Sequence, residues 1–210
     1  ISLLFIIWLL GIVLFVSLLV SRIMLMVKWR KEEEIPRWFN NTLRAAARLL
    51  NLNYLPSVVF SEDIPTPAVY GLFRPVLVLP RYYAKELSRK ELFYMILHEL
   101  AHLKRKDLWT HALAVLLLCF YWFNPFVYLV QRKLRQTREI CCDLTVSNAL
   151  KGLNKPYRTT LINAARRWLT RKPSPALGLL GVFEEPHQII NRISWLEKNM
   201  INIKPIATIT

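Results

Sequence analysis

The chain has 210 residues, of which 54% are hydrophobic, and it carries a formal net charge of +15. The length allows one domain of ordinary size, but two apolar runs are longer than the core element of a soluble domain needs, which indicates a membrane protein. Lysine and arginine cluster beside these runs, as in loops that stay in the cytoplasm, so we expect no direct contact with nucleic acid.

The first apolar run predicts a transmembrane helix over residues 1–27. Ile1 to Val20 carries no charge and matches the roughly 20 residues that cross a bilayer as a helix. A cleaved signal peptide would be shorter and would end in small residues. The chain starts inside one apolar run, and Ile206 to Thr210 resembles the start of another. We therefore expect a longer parent protein with a further span beginning at 201–210.

The first part of a cytoplasmic domain is predicted over residues 28–107. Pro36 suits the first position of an amphipathic surface helix that runs to about Asn51. From Ser57 to Pro80, short β-rich pieces broken by proline and glycine predict a small sheet with a hairpin at Gly71 to Pro75. The edge of this sheet could hold an extended peptide, or the sheet could be purely structural.

A helix is predicted to start at Arg89. Ser88 can cap it while Glu91 reaches back to the Ser88 amide, and Leu87 with Leu92 can form a hydrophobic staple. The middle of this helix carries the motif His98-Glu-Leu-Ala-His102.

The histidine pair predicts a zinc site. Residues four apart lie about 40° from each other around a helix, so His98 and His102 can bind one ion, with Glu99 beside them. Three protein ligands and an open position lower the pKa of bound water to about 7, and an adjacent glutamate can take its proton. We therefore expect Zn²⁺, with Glu99 as the catalytic base.

The third ligand must come from elsewhere in the chain. The metzincin spacing would need glycine and histidine where Arg105 and Leu108 stand, so that class is excluded. After Leu108 the first acidic residue is Glu139, and Asp143 follows one helical turn later. Glu139 is the predicted third ligand, and Asp143 is predicted to hydrogen-bond a ligand histidine.

Other polar residues keep alternative interpretations. Cys142 competes as a ligand, because a thiolate binds zinc well. Asp107 would face away from His102 on a continued helix, which favours a cap or an ion pair. We expect His111 to be structural, and His187 is a weak candidate for stabilising an oxyanion. The cysteines, with no CxxC pair, are expected to be reduced thiols.

The second apolar run, within residues 108–130, lies between the histidines and Glu139. A single full crossing would leave Glu139 on the opposite side of the membrane from His98 and His102. The run therefore either turns back near Asn124-Pro125 as a re-entrant hairpin or lies partly buried beside other helices. The metal site would then lie on the cytoplasmic side, near the membrane surface.

Several motifs together resemble the beta-lactam sensor/signal-transducer, or antirepressor, family of membrane zinc metallopeptidases. They cover about residues 35 to 195. One departure is the Cys141-Cys142 pair, where the family usually shows one cysteine. The motifs are the His98 to His102 helix with Lys-Arg-Lys-Asp107 after it, Gly71, Pro75 and Val-Leu-Val-Leu-Pro80, Trp-Phe-Asn-Pro125, Arg138-Glu139 with Cys142-Asp143, and Asn191-Arg192-Ile193.

The resemblance implies an α+β membrane protein. A mainly helical gluzincin-like zinc peptidase domain with a small β-sheet would be joined to transmembrane and re-entrant helices. Its second cytoplasmic part, residues 131–200, would supply the third ligand. The protein would be multi-pass in the cell membrane, with its peptidase site facing the cytoplasm. By resemblance, His98, His102 and Glu139 would be the ligands and Glu99 the base.

The function expected from this resemblance is zinc-dependent cleavage of a cytoplasmic protein in regulatory signalling. The substrate would be a DNA-binding repressor or the chain itself, and membrane lipid would be a further partner. The oligomeric state stays open, with a homodimer as one alternative. Other functions remain open: a quality-control or prenyl-protein zinc peptidase, or a catalytically silent zinc-binding transducer. Beta-lactam sensing is not implied, because the chain contains no penicillin-binding sensor.

Overall fold

The computed structural model describes residues 2–28, 36–62, 64, 66–151, 155–170, 192 and 194. The part described is mostly helical with one small sheet, in agreement with the expected α+β class. His187, most of the charged stretch after the first helix and the expected span at 201–210 lie outside the described residues. The elements are α1 (Leu3–Lys28), α2 (Arg37–Leu49), β1 (Ser57–Ser61), β2 (Ala68–Tyr70), β3 (Val76–Pro80), α3 (Tyr83–Glu86), α4 (Arg89–Lys104), α5 (Asp107–Phe120), α6 (Pro125–Ala149) and α7 (Lys155–Thr170).

Helix α1 is long and apolar enough to cross a bilayer. The qualifying stretch is Leu3–Ser21, and none of it is buried against the rest of the protein. Among the described residues it contacts α5 and the turn that follows: the Trp8 indole donates a hydrogen bond to the Phe120 carbonyl at 3.0 Å, and the Trp122 indole donates to the Trp8 carbonyl at 3.4 Å. Gly11 allows this approach, because a Cβ there would lie 2.1 Å from the Trp122 ring.

The predicted sheet and its hairpin are confirmed. Its three strands lie in the order β1-β3-β2, with β1 parallel and β2 antiparallel to β3. The hairpin between β2 and β3 turns at Gly71, whose φ of +90° is open to glycine but strained for other residues. Strand β2 is therefore an edge strand, and it also packs against α4.

One apolar core joins the sheet to α2 and α4. The predicted amphipathic helix is confirmed, and its buried face includes Leu43, Ala46 and Ala47, with Leu50 just after the last turn. The helix begins at Arg37 rather than at Pro36, because Pro36 has an extended backbone and precedes the first turn. One face of α4 enters this core, and the histidines of its motif face α6 and α7 instead. The core residues of α4 are Leu92, Ile96, Leu97, Leu100 and Ala101.

The start of α4 is fixed as the sequence predicts. The Ser88 side chain accepts a hydrogen bond from the Glu91 amide at 3.2 Å, and the Ser88 amide donates to the Glu91 carboxylate at 3.1 Å. Glu91 also binds α7, through Asn163 and Arg167, each at 3.2 Å. The capping box thus sets the register of α4 and ties α7 to it.

The second apolar run reverses direction, as one of the two sequence-based alternatives requires. Helix α5 ends at Phe120, and the Asn124 side chain accepts from the Phe126 amide at 2.9 Å to cap α6. Proline at the first position of α6 suits a helix start. The Gln131 side chain donates to the Ala114 carbonyl at 2.8 Å, which joins the two antiparallel helices. Helix α6 then continues without a break at residue 130 to Ala149.

Replacing Gly71 with alanine should destabilise the hairpin. The added Cβ would lie 2.5 Å from the Arg74 carbonyl oxygen at a backbone φ of +90°. Strain at such a position costs about 1–3 kcal/mol, and we expect this loss in the free energy of unfolding, measured in detergent. Arg74→Ala is the control, since its exposed side chain leaves the turn intact. Equal stability of both variants would contradict the strained turn.

Candidate metal centre

The two motif histidines on α4 face Glu139 on α6. The His98 and His102 rings lie with their centroids 5.0 Å apart and their planes at 89°. The Nε2 atom of His98 is 3.3 Å from one Glu139 oxygen, and the Nε2 atom of His102 is 3.6 Å from the other. The structure thus brings the three predicted ligand residues together from segments separated by the α5–α6 hairpin.

This arrangement fits a zinc ion. Ligand atoms about 2.0–2.1 Å from a tetrahedral ion lie about 3.3 Å from each other, close to the two nitrogen–oxygen distances observed. The donor atoms of His98, His102 and Glu139 all lie within 4.8 Å of one another. Imidazole and carboxylate are donors that zinc accepts readily, and two histidines with one glutamate leave a coordination position open.

Asp107 orients His102, so the prediction that it faces away from this histidine is wrong. Its carboxylate oxygen lies 2.9 Å from Nδ1 of His102. A continued helix would have turned Asp107 away, but α4 ends at Lys104 and Lys106 adopts a left-handed conformation with φ of +59°. That reversal starts α5 in a new direction with Asp107 at its first turn. The expected ion pair does form, with Arg105 at 3.3 Å.

Asp143 and Tyr157 hold the other histidine. Asp143 is fully buried, and its Oδ1 lies 3.2 Å from Nδ1 of His98. Tyr157, on α7, donates its hydroxyl proton to Asp143 at 2.5 Å and lies 2.9 Å from the same His98 nitrogen. Because that proton is engaged, Tyr157 can only accept from His98. Both contacts favour a proton on Nδ1 and leave Nε2 of His98 free to bind a metal.

Arg192 reaches the site from the far end of the chain. Its guanidinium forms two 2.7 Å hydrogen bonds with the Asp143 carboxylate and lies 3.5 Å from Glu139. It also lies 3.4 Å from both ring nitrogens of His98, as a group stacked on the ring would. Neither Arg192 nor Tyr157 was predicted from the sequence to be a site residue. The resemblance of Asn191-Arg192-Ile193 to the family pattern was the one available signal.

Cys142 lies beside His102 but on the side away from Glu139. Its Sγ is 3.0 Å from Nδ1 of His102 and donates to Asp107 at 3.2 Å. These three residues form a second group of potential metal donors. That group would use the His102 nitrogen already bound to Asp107. Burial, with the nearby negative charges, raises the pKa of the Cys142 thiol, which disfavours the thiolate that a metal needs.

The site is buried and acidic. Burial raises the pKa of Glu99, although both histidines oppose this shift. Burial and Arg192 lower the pKa of His98, but hydrogen bonds to Asp143 and Glu139 outweigh them and raise it to about 10. Four carboxyl groups and two guanidiniums meet at this site, and the carboxyl groups outnumber the guanidiniums, an arrangement that suits a divalent cation. The groups are Glu99, Asp107, Glu139 and Asp143 with Arg105 and Arg192.

The comparison with protein families agrees with the site. A family model described as BlaR1 peptidase M56 matches residues 1–196. This stretch contains every residue of the site just described.

Individual relatives match this chain over only part of their own length. The methicillin resistance mecR1 protein of Staphylococcus aureus is 36% identical over 99 residues, or 47% of this chain and 16% of that protein. The regulatory protein BlaR1 of Bacillus licheniformis is 32% identical over 114 residues, 53% of this chain and 19% of the relative. BlaR1 of Staphylococcus aureus is 25% identical over 201 residues, 95% of this chain and 33% of the relative. The chain thus matches a third or less of these relatives.

Loss of the Asp107 carboxylate should weaken zinc binding. Groups that hydrogen-bond ligand histidines typically contribute about 10–100-fold to metal affinity. We expect this loss in Asp107→Ala, measured by competition with a chromophoric chelator. Glu62→Ala, which removes a carboxylate with an exposed side chain, should leave the affinity unchanged. An unchanged affinity in Asp107→Ala would mean that His102 needs no such partner.

Removing Arg192 should leave Asp143 as an uncompensated buried charge. Breaking a buried ion pair in this way costs about 3–5 kcal/mol, and we expect Arg192→Gln to lower the free energy of unfolding by that amount. Arg167→Gln breaks a more exposed pair with Glu91 and should cost about 1 kcal/mol or less. Arg192→Met combined with Asp143→Leu should recover only part of the loss, because Tyr157 and His98 then lose the carboxylate that they contact. Equal effects of the two single glutamine variants would refute this interpretation.

Proposed function

The chain belongs to the BlaR1 peptidase M56 family, and we propose that it is a membrane-embedded zinc endopeptidase that cleaves a cytoplasmic protein in regulatory signalling. The observation that carries this proposal is the convergence of His98 and His102 on the two oxygens of Glu139, at 3.3 and 3.6 Å. Glu99 lies on the same helix as the two histidines, and we propose that it acts as the base that takes a proton from the attacking water.

Each residue of the site has a distinct task in this mechanism. A bound zinc ion would polarise the scissile carbonyl and lower the pKa of water to about 7. His98, His102 and Glu139 would hold the ion. Glu99 would accept a proton from the attacking water and pass it to the leaving amine, as a general base and then a general acid. Its buried position raises its pKa, which makes the carboxylate a stronger proton acceptor.

The second part of the proposal is that strand β2 binds the peptide substrate, and we call this strand the substrate edge. Strand β2 is at the edge of the sheet and packs against α4, the helix that carries Glu99. A peptide added alongside it would be held extended by main-chain hydrogen bonds. We propose a cytoplasmic repressor or a segment of the chain itself as substrate. Support comes from the family and from relatives named as regulatory and resistance proteins.

Membrane placement supports a site facing the cytoplasm. The exposed apolar surface of α1 and the short α5–α6 hairpin would lie in or at the bilayer. Basic residues flank the hairpin on both sides, which favours the cytoplasmic side for both flanks. The α5–α6 reversal then keeps α4 and the second half of α6 on one side, as a shared metal requires.

The first test separates metal binding from catalysis. We expect one zinc per chain, by elemental analysis of detergent-purified protein, in the unchanged chain and in Glu99→Gln, and loss of zinc in Glu139→Ala. Glu99→Gln should lower the rate of cleavage by about 10²–10⁴-fold, because the proton acceptor is gone. Cleavage is followed by labelling new protein N-termini in a bacterial cytoplasmic extract.

The alternatives predict different results. A catalytically silent transducer would bind zinc yet produce the same N-termini with and without Glu99. A folded unchanged chain that binds no zinc would exclude the peptidase altogether. Retention of zinc in Glu139→Ala would move the third ligand to another residue, with Cys142 as the first to test.

A further inference from the structure

The tip of the β2–β3 hairpin exposes an aromatic side chain. Phe73 is 82% exposed, the highest value among the large hydrophobic residues that the structure describes as exposed. Its ring meets that of Trp109 edge to face, with centroids 5.4 Å apart, and Trp109 is itself 50% exposed. Clustered exposed apolar side chains mark a surface that contacts something other than water.

The same surface continues below the hairpin. A cavity of about 340 Å³ separates the hairpin from the start of α5, and Tyr54 and Leu72 lie on its wall with Trp109. Tyr54 is 50% exposed. We call the four residues Tyr54, Leu72, Phe73 and Trp109 the aromatic platform.

The aromatic platform is continuous with the apolar face of α5. Trp109 begins a row of exposed apolar residues along this helix. Tryptophan and tyrosine favour the level of the lipid headgroups, where an apolar ring and a polar edge are both accommodated. The platform therefore marks the height at which α5 leaves the bilayer. The row consists of Trp109, Leu113, Leu116, Leu117 and Phe120.

Positive charge surrounds the aromatic platform. Arg74 at the hairpin and Lys104 and Lys106 at the α4–α5 turn are all exposed, and Lys106 lines the same cavity. The one carboxylate in this turn, Asp107, is buried against His102. Anionic headgroups attract basic residues that lie close to a membrane.

We propose that the aromatic platform rests in the headgroup layer of an anionic bilayer, with Phe73 inserted below the phosphates. This inference rests on the membrane placement in the proposed function and extends it. Because β2 leads directly into the inserted tip and α4 ends beside it, the substrate edge and the metal site would lie at the membrane surface. A site at this position would suit substrates that are peptide segments held next to the membrane.

The depth of Phe73 can be measured directly in the intact chain. Single cysteines are introduced in a Cys141→Ser background, since the other native cysteines are buried. They are labelled with an environment-sensitive fluorophore in vesicles of phosphatidylcholine and phosphatidylglycerol. The positions compared are Phe73→Cys, Leu14→Cys within α1 and Arg44→Cys on the exposed face of α2.

We expect the label at Phe73 to show blue-shifted emission, quenching by a nitroxide at acyl carbon five and protection from aqueous iodide. The label at Arg44 should show the reverse, and the label at Leu14 should be quenched by lipid nitroxide only. Loss of nitroxide quenching at Phe73 in pure phosphatidylcholine, without loss at Leu14, would support recognition of anionic lipid.

The outcomes separate this inference from the proposed function. Nitroxide quenching at Leu14 together with iodide quenching at Phe73 would overturn the contact of the aromatic platform with lipid. The membrane placement of α1 would still be supported. Iodide quenching at both positions would overturn membrane placement itself. Protection of Phe73 from both quenchers would mean that protein covers the platform, and the lipid inference would be wrong.

Discussion

The contact of one carboxylate with two imidazoles organises this protein. Glu139 must lie between His98 and His102, yet an apolar run long enough to enter a membrane separates them in sequence. The α5–α6 reversal at Asn124 satisfies that constraint, and the Gln131 contact with the Ala114 carbonyl fixes the pair of helices. The same constraint requires α4 to start at a defined residue, which the Ser88 capping box provides.

The need to pair buried charges explains why so many polar groups are buried around the contact. A buried carboxylate is costly unless it is paired, and Asp143 is fully buried. Arg192 pairs with it from 49 residues away in sequence. Hydrogen bonds to Asp143 and Glu139 raise the pKa of His98 to about 10, against the opposing effects of burial and Arg192. A divalent ion bound at Nε2 would replace the proton on that nitrogen.

Local sequence signals predicted the parts of the site that lie on one helix. The spacing of the histidine motif, the Ser88 cap and the short β-rich pieces depend on neighbours within a few residues. The sequence therefore predicts them directly. Glu139 was reached by elimination, since it is the first acidic residue after the apolar run. The contact of Asp107 with His102 was not predicted, because it depends on the left-handed backbone of Lys106. Tyr157 and Arg192 depend on the docking of distant segments, which no local pattern reports.

Each motif histidine turns its two ring nitrogens toward different partners, and this limits which residues could share a metal with it. Nε2 of both rings faces Glu139, while Nδ1 faces Asp107 in one case and Asp143 with Tyr157 in the other. Cys142 contacts the Nδ1 side of His102, so it cannot complete the same coordination sphere without rotation of that ring. Rotation would break the Asp107 hydrogen bond, which α5 holds in place through its first turn. The start of α5 and the orientation of the His102 ring therefore depend on one residue, Asp107, so a shift of α5 would also move this ring.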